Sequence, residues 1–95
     1  MTTDINITPM EQRTFGVEIT EGSTTTTHEV SVPEATIELV TTQTDDVEVQ
    51  QTLVRESVLF LLEREPADEI LSRFSLDDIP RYFPDYRDEI VRRMS

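Results

Sequence analysis

Apolar and polar residues alternate along two consecutive runs in the first third of the chain. In residues 14–20, and again in residues 24–32, apolar side chains alternate with small or polar ones. A period of two is typical of a β-strand with one buried face. Gly22-Ser23 lies between the runs and suits a two-residue type II′ turn, because glycine accommodates the positive φ that the first turn position requires. The pattern therefore predicts an antiparallel β-hairpin.

The turn also fixes which residues face each other across the hairpin. It pairs Glu21 with Thr24, Ile19 with Thr26, Val17 with His28 and Phe15 with Val30. This register places the large apolar residues on one face and threonine, serine and glutamate residues, with Gly16, on the other. Because an isolated hairpin is marginally stable in water, its apolar face must be covered by a helix or by another chain.

The second half of the chain has helical instead of alternating spacing. From Val47 to Leu62 the apolar residues form one broad stripe, which predicts an amphipathic helix. Asp45 or Asp46 is suited to be its N-cap. Pro66 marks its end, because the residue before proline is disfavoured in the α conformation.

A second, shorter helix is predicted to follow. Pro66 can occupy its first turn, and the helix is expected to run to about Phe74 and to bury Ile70, Leu71 and Phe74. Ser75 then serves as the N-cap of a further turn, which has acidic residues at its start.

Pro80 and Pro84 prevent the C-terminal region from forming one long helix. We expect a bend near Phe83 and a last helix from Pro84 to about Met94. The apolar residues of both pieces recur at helical spacing and are expected to face one core, and they are Ile79, Phe83, Tyr86, Ile90 and Met94.

Two segments are less regular. Residues 34–41, which follow Pro33, favour a short helix, although part of this segment also alternates like a third strand. Residues 1–12 are polar, with only Ile5 and Ile7 suggesting a short alternating strand, and are expected to form a flexible arm. The fold class predicted is α+β: a single domain over residues 13–95, in which an N-terminal antiparallel β-hairpin packs on a C-terminal segment of three to four helices.

Charge and composition indicate the kind of host organism and the cell compartment. The 95 residues contain 20 acidic and 8 basic residues, with a net charge of −12, no lysine and no cysteine. An acidic surface of this kind is typical of cytosolic proteins from salt-accumulating halophiles, and an acidic protein of a GC-rich mesophile is the alternative. The lack of cysteine fits a reducing compartment. Without a signal peptide or an apolar run of about 20 residues, we expect a cytoplasmic protein that does not enter a membrane.

Catalytic and cofactor-binding patterns do not emerge from the sequence. His28 is the single histidine, and its position on the apolar face of the hairpin favours a packed residue over a general base. The acidic clusters lack the glycine and the alternating ligands of a calcium loop, so no metal site is predicted. With only two glycines there is no phosphate-binding loop, and no cofactor is expected. The charge of −12 disfavours direct nucleic-acid binding.

Tyr82, Phe83, Tyr86 and Arg87 form the candidate interaction surface. These aromatic residues either belong to the core or leave an exposed patch that binds a protein partner or a second copy. The sequence therefore favours a non-enzymatic protein-interaction or regulatory module. A small enzyme or ligand-binding protein with a site formed on oligomerisation is the first alternative, and a nucleic-acid-associated regulator is the second.

The C-terminal half contains three distinctive strings: FLLEREP at residues 60–66, ILSRF at residues 70–74 and RYFPDY at residues 81–86. Together with the hairpin, they resemble a family of small uncharacterised prokaryotic proteins. If the halophile interpretation holds, the family is haloarchaeal. The resemblance implies a self-contained domain and brings no activity, ligand or catalytic residue.

Overall fold

A computed structural model describes residues 3–95, and its fold is α+β, which confirms the predicted class. The strands are β1 (Thr3–Pro9), β2 (Thr14–Glu21), β3 (Thr24–Ser31) and β4 (Arg73–Ser75). They form one mixed sheet in the order β1-β2-β3-β4, with the last pair parallel. The predicted two-stranded hairpin is therefore the centre of a larger sheet.

The predicted register of the hairpin is confirmed. Val17 pairs with His28 and Phe15 pairs with Val30 across β2 and β3. Gly22 has a φ of 62° and begins the turn. Ser23 does not share the positive φ, so the turn has the single left-handed position that a type II′ turn requires.

Residues 3–9, which the sequence assigns to a flexible arm, form the edge strand β1 instead. Ile5 pairs with Ile19 and Ile7 pairs with Val17, so the short alternation of the two isoleucines continues the apolar face of the hairpin. Ile7 is buried in the core. The arm prediction is wrong for this segment because apolar burial and strand pairing outweigh its polar composition; Met1 and Thr2 lie outside the described residues.

The α-helices within residues 3–95 are α1 (Glu34–Ile37), α2 (Val47–Leu62), α3 (Ile79–Tyr82) and α4 (Tyr86–Met94). The short helix favoured after Pro33 is confirmed as α1. Asp46 is the N-cap of α2, as predicted, and its Oδ1 accepts hydrogen bonds from the backbone N–H groups of Glu48 and Val49 at 2.9 and 3.3 Å. The predicted bend is present between α3 and α4, where Phe83 leaves the helical conformation.

The helix predicted from Pro66 to Phe74 is wrong. Only Ala67–Glu69 turns, as one 3₁₀ turn, and the chain then extends into β4. The N–H of Glu29 donates to the carbonyl oxygen of Ser72 at 2.8 Å. The extended segment thus finds backbone partners on β3, which a helix at this position would not supply.

The core lies between the sheet and the helices. The apolar face of the sheet contributes Ile7, Phe15, Val17, Ile19 and Val30, all buried. Helix α2 packs against β1 on one side and against α4 on the other. The opposite, outer face of the sheet carries the small and polar residues, as the register predicts. No helix within residues 3–95 is long and apolar enough to cross a bilayer.

Candidate functional site

A groove opens where the end of α2, the segment around β4 and helix α3 meet. Its volume is about 310 Å³, and we name it the Tyr82 groove. Its lining is mostly apolar and consists of Leu61, Ile70, Leu71, Phe74, Ile79, Tyr82 and Phe83. Three carboxylates complete the lining: Glu65, Glu69 and Asp78.

Two apolar side chains of the Tyr82 groove are open to solvent. Tyr82 is 71% exposed and Leu71 is 59% exposed, whereas Ile70, Phe74 and Ile79 are buried beneath them. The site therefore combines a buried apolar floor with an exposed aromatic ring, which is the arrangement of an apolar patch that a partner can cover.

Local sequence signals fix the wall of the groove that α3 forms. Ser75 and Asp78 make a capping box, in which each side chain bonds the backbone N–H of the other residue. The carboxylate of Asp78 accepts from the N–H of Ser75 at 3.0 Å. This reciprocal pair stabilises the start of the helical turns that present Ile79 and Tyr82.

His28 fastens the opposite wall to the sheet. Its Nδ1 lies 2.7 Å from the carbonyl oxygen of Leu71, and its Nε2 lies 2.9 Å from Oγ1 of Thr26. Because a carbonyl only accepts, Nδ1 carries the hydrogen and donates it. In neutral His28, Nε2 is then the acceptor for the Thr26 hydroxyl. Nδ1 thus holds Leu71 and Nε2 holds Thr26, and within residues 3–95 neither nitrogen has a carboxylate partner, so the geometry is that of a structural residue.

One carboxylate of the groove, that of Glu65, has a raised pKa. Burial raises the pKa of Glu65, and the nearby charge of Glu69 raises it further. Among the groove-lining residues that the structure describes there is no arginine. The groove is therefore an apolar surface with an uncompensated negative rim.

The residues of the candidate interaction surface separate in the fold. Tyr82 and Phe83 line the groove, with Phe83 half-buried. Tyr86 is fully buried, its hydroxyl is 2.7 Å from Ser57 Oγ, and burial raises its pKa to about 12 although the Ser57 bond lowers it. Arg87 is exposed and does not line the groove. Tyr82 and Phe83 are the two members of the surface that meet.

Sequence reasoning missed three contributors to the groove, namely Leu71, Glu65 and Glu69. Leu71 was expected to be buried in a helix, and the extended chain turns it outward instead. The acidic pair has a weak signal in the sequence, because Glu65 and Glu69 flank Pro66 where no positive residue intervenes.

A second depression lies on the outer face of the sheet; it is wide and shallow, and most of its lining residues are of polar types. It has a volume of about 800 Å³, and its lining includes Thr8, Gly16, Thr27 and the pair Glu29 and Arg73. Arg73 Nε and Glu29 Oε2 are 2.8 Å apart, so these charges satisfy each other. Within residues 3–95 no group of three or more histidine, cysteine or acidic residues is arranged to hold a metal ion.

Comparison with known proteins adds no relative: no protein-family model, no curated protein and no solved structure matches the chain.

Proposed function

We propose that this protein is a non-enzymatic interaction module that binds a protein partner through the Tyr82 groove. The observation that carries the proposal is the exposure of Tyr82, at 71%, beside a buried apolar floor. An exposed aromatic side chain next to a pocket is the usual anchor of a protein contact, because it buries a large area with few rotatable bonds.

The contacts that hold the walls of the groove in place favour a role in protein binding. His28 holds the Leu71 side, and the Ser75–Asp78 capping box holds the α3 side. The ring of Phe83 packs edge-on against Phe60, with their centroids 6.0 Å apart. A site whose walls are already held in place loses less conformational entropy when a partner binds.

The first alternative is an enzyme or small-ligand site completed by oligomerisation. The groove volume of about 310 Å³ lies at the lower end of the range for ligand pockets, roughly 300 to 1,000 Å³, and the raised pKa of Glu65 supplies one titratable group. The second alternative is a nucleic-acid-associated regulator, against which the net charge of −12 counts. We favour the interaction module because the exposed aromatic ring of Tyr82 can itself anchor a protein contact.

The proposal also covers the host organism and the cell compartment of the protein. The cysteine-free, lysine-free and acidic composition supports a cytoplasmic protein of a halophilic host, and the C-terminal strings support the resemblance to small prokaryotic proteins. In a halophilic protein, molar salt screens the self-repulsion of the surface. The melting temperature should rise steeply from low to molar salt; a melt that does not depend on salt would contradict the halophilic origin.

The proposed function is tested by affinity purification of the tagged protein from its native host at native ionic strength. We expect one partner in near-stoichiometric amount, retained by Leu39→Ala and lost with Tyr82→Ala. Leu39 is the matched control, because it is also exposed, at 42%, and does not line the groove. Equal recovery with all three proteins, or recovery of no partner, would count against the proposal.

A further inference from the structure

The negative rim of the Tyr82 groove has no positive residue to balance it. None of the ion pairs within residues 3–95 involves Glu65, Glu69 or Asp78. Glu65 and Glu69 instead repel each other, and Glu65 is partly desolvated. Carboxylates at the edge of an apolar surface that have no positive neighbour are available to pair with a cation from outside the chain.

Elsewhere on the surface, several carboxylates pair with arginine. Arg13 bridges Glu34 and Asp45, and Arg64 lies 2.8 Å from Asp85. Arg93 forms ion pairs with three further acidic residues, Glu56, Glu63 and Glu89. The chain therefore uses several of its eight arginines to neutralise acidic groups around α2 and α4, and none of them at the groove.

From the apolar floor of the groove together with its unpaired acidic rim we infer that the partner of the Tyr82 groove is a polypeptide segment in which an apolar or aromatic side chain is adjacent to arginine or lysine. The inference rests on the proposed function and specifies its partner. The apolar side chain covers Tyr82 and Leu71 and reaches the floor, and the cation lies between Glu65 and Glu69. An arginine also stacks on an exposed tyrosine ring.

A second copy of the chain fits this chemistry poorly. Each copy carries a net charge of −12, so two copies repel each other at low ionic strength; at molar salt a second copy, with 20 acidic residues and 8 arginines, still offers few cations to Glu65 and Glu69. A basic segment is attracted by the same field. The charge complementarity therefore points to a different polypeptide.

The test uses a phage-displayed library of random peptides, panned on the full chain at the lowest salt at which circular dichroism shows it folded. Selected peptides are then synthesised, and their affinities are measured by fluorescence anisotropy. We expect the selected sequences to place arginine or lysine next to an aromatic or large aliphatic residue. Raising the salt should weaken binding without unfolding the protein.

Two variants separate the contribution of charge to peptide affinity from the contribution of apolar contact. The double variant Glu65→Gln/Glu69→Gln should bind about five-fold more weakly, because two partly exposed ion pairs are lost. Glu18→Gln is the control, since Glu18 is exposed on the outer face of the sheet. Tyr82→Ala should weaken binding about ten-fold or more, whatever the charge of the peptide.

The outcomes distinguish the proposal of a basic partner from the proposal that the groove is the contact surface. Peptides that lose affinity with Tyr82→Ala but are neutral, and are unaffected by Glu65→Gln/Glu69→Gln, would overturn the basic partner and leave the groove as the contact surface. Peptides whose affinity is unchanged by Tyr82→Ala would overturn the inference together with its proposed partner class. Association of the chain with itself through Tyr82 would do the same.

Discussion

The hydroxyl groups of Ser57 and Tyr86 lie 2.7 Å apart in the buried contact between helices α2 and α4. Both residues are completely buried. The ring of Tyr86 also packs edge-on against Phe60, with the centroids 5.3 Å apart. Tyr86 therefore holds the last helix to the core, while Tyr82, four residues earlier, remains at the surface.

Tyr86→Phe should lower the free energy of unfolding by about 1 to 2 kcal/mol, because it leaves the buried Ser57 hydroxyl without a partner. Ser57→Ala should cost a similar amount. The double variant should lose less than the sum, with a coupling of about 1 kcal/mol measured by urea denaturation. Tyr82→Phe is the control and should change stability by less than about 0.5 kcal/mol. Strictly additive losses would show that the two hydroxyl groups do not stabilise each other.

Alkaline pH should destabilise the protein through the same tyrosine. Burial raises the pKa of folded Tyr86 from 10.0 to about 12. The stabilisation is complete below the unfolded pKa, and it is lost as pH rises through the folded pKa, because only the unfolded state releases the proton readily in that window. The loss should reach roughly 2 to 3 kcal/mol, at about 1.4 kcal/mol for each pH unit.

Denaturation at a series of pH values checks this dependence. Tyr86→Phe removes the titrating group, so the slope of stability against pH between the two pKa values should become shallower in this variant. A slope that is the same in both proteins would place the alkaline sensitivity elsewhere.

His28 should be replaceable by residues that keep its donor to Leu71. His28→Asn retains a nitrogen near the position of Nδ1, whereas His28→Leu leaves the Leu71 carbonyl without this bond. We expect His28→Leu to cost about 1 to 3 kcal/mol and His28→Asn to cost less. Amide exchange at Glu29, whose N–H bonds Ser72, should accelerate more in the leucine variant. Equal stability and equal exchange in the two variants would rule out this positioning role.

The hairpin and helix α2 were predictable because their signals are local. Parity across the Gly22-Ser23 turn determines every pair of β2 and β3, and Asp46 marks the start of α2 next to it in sequence. Strand β4 has no such signal. It spans three residues, and its partner Glu29 precedes Arg73 by more than forty residues, so the pairing depends on the assembled core.

The candidate site was half predictable for a similar reason. Tyr82 and Tyr86 are four residues apart, and helical spacing alone would place them on one face. Phe83 interrupts the helix with φ −131° and ψ 88°, so the two rings diverge. One becomes core and the other becomes surface. The bend itself follows from Pro84, but the direction of each ring after the bend depends on tertiary packing.

Edge strand β1 should be protected against pairing with other chains by helix α2. Gln51 Nε2 donates to the carbonyl oxygen of Ile7, and Arg55 Nη1 donates to that of Ile5, each at 3.3 Å. An open strand edge is a template for association. The double variant Gln51→Ala/Arg55→Ala should therefore self-associate at lower concentrations than the parent protein.

Light scattering across a concentration series measures this effect. Arg81→Ala is the control, because it removes the same charge from an exposed position outside the sheet. If Arg81→Ala associates as strongly as the double variant, the effect does not arise from the strand edge.

We propose that the partner contacts the Tyr82 groove and not the outer face of the sheet. The most direct measurement is the change in backbone amide chemical shifts when the isotope-labelled protein is titrated with the partner recovered from the host. We predict that the largest changes fall on residues 65–83, around Glu69, Leu71 and Tyr82. Changes centred on Thr8, Glu18 and Thr27 of the outer sheet face, or no changes at all, would contradict the account.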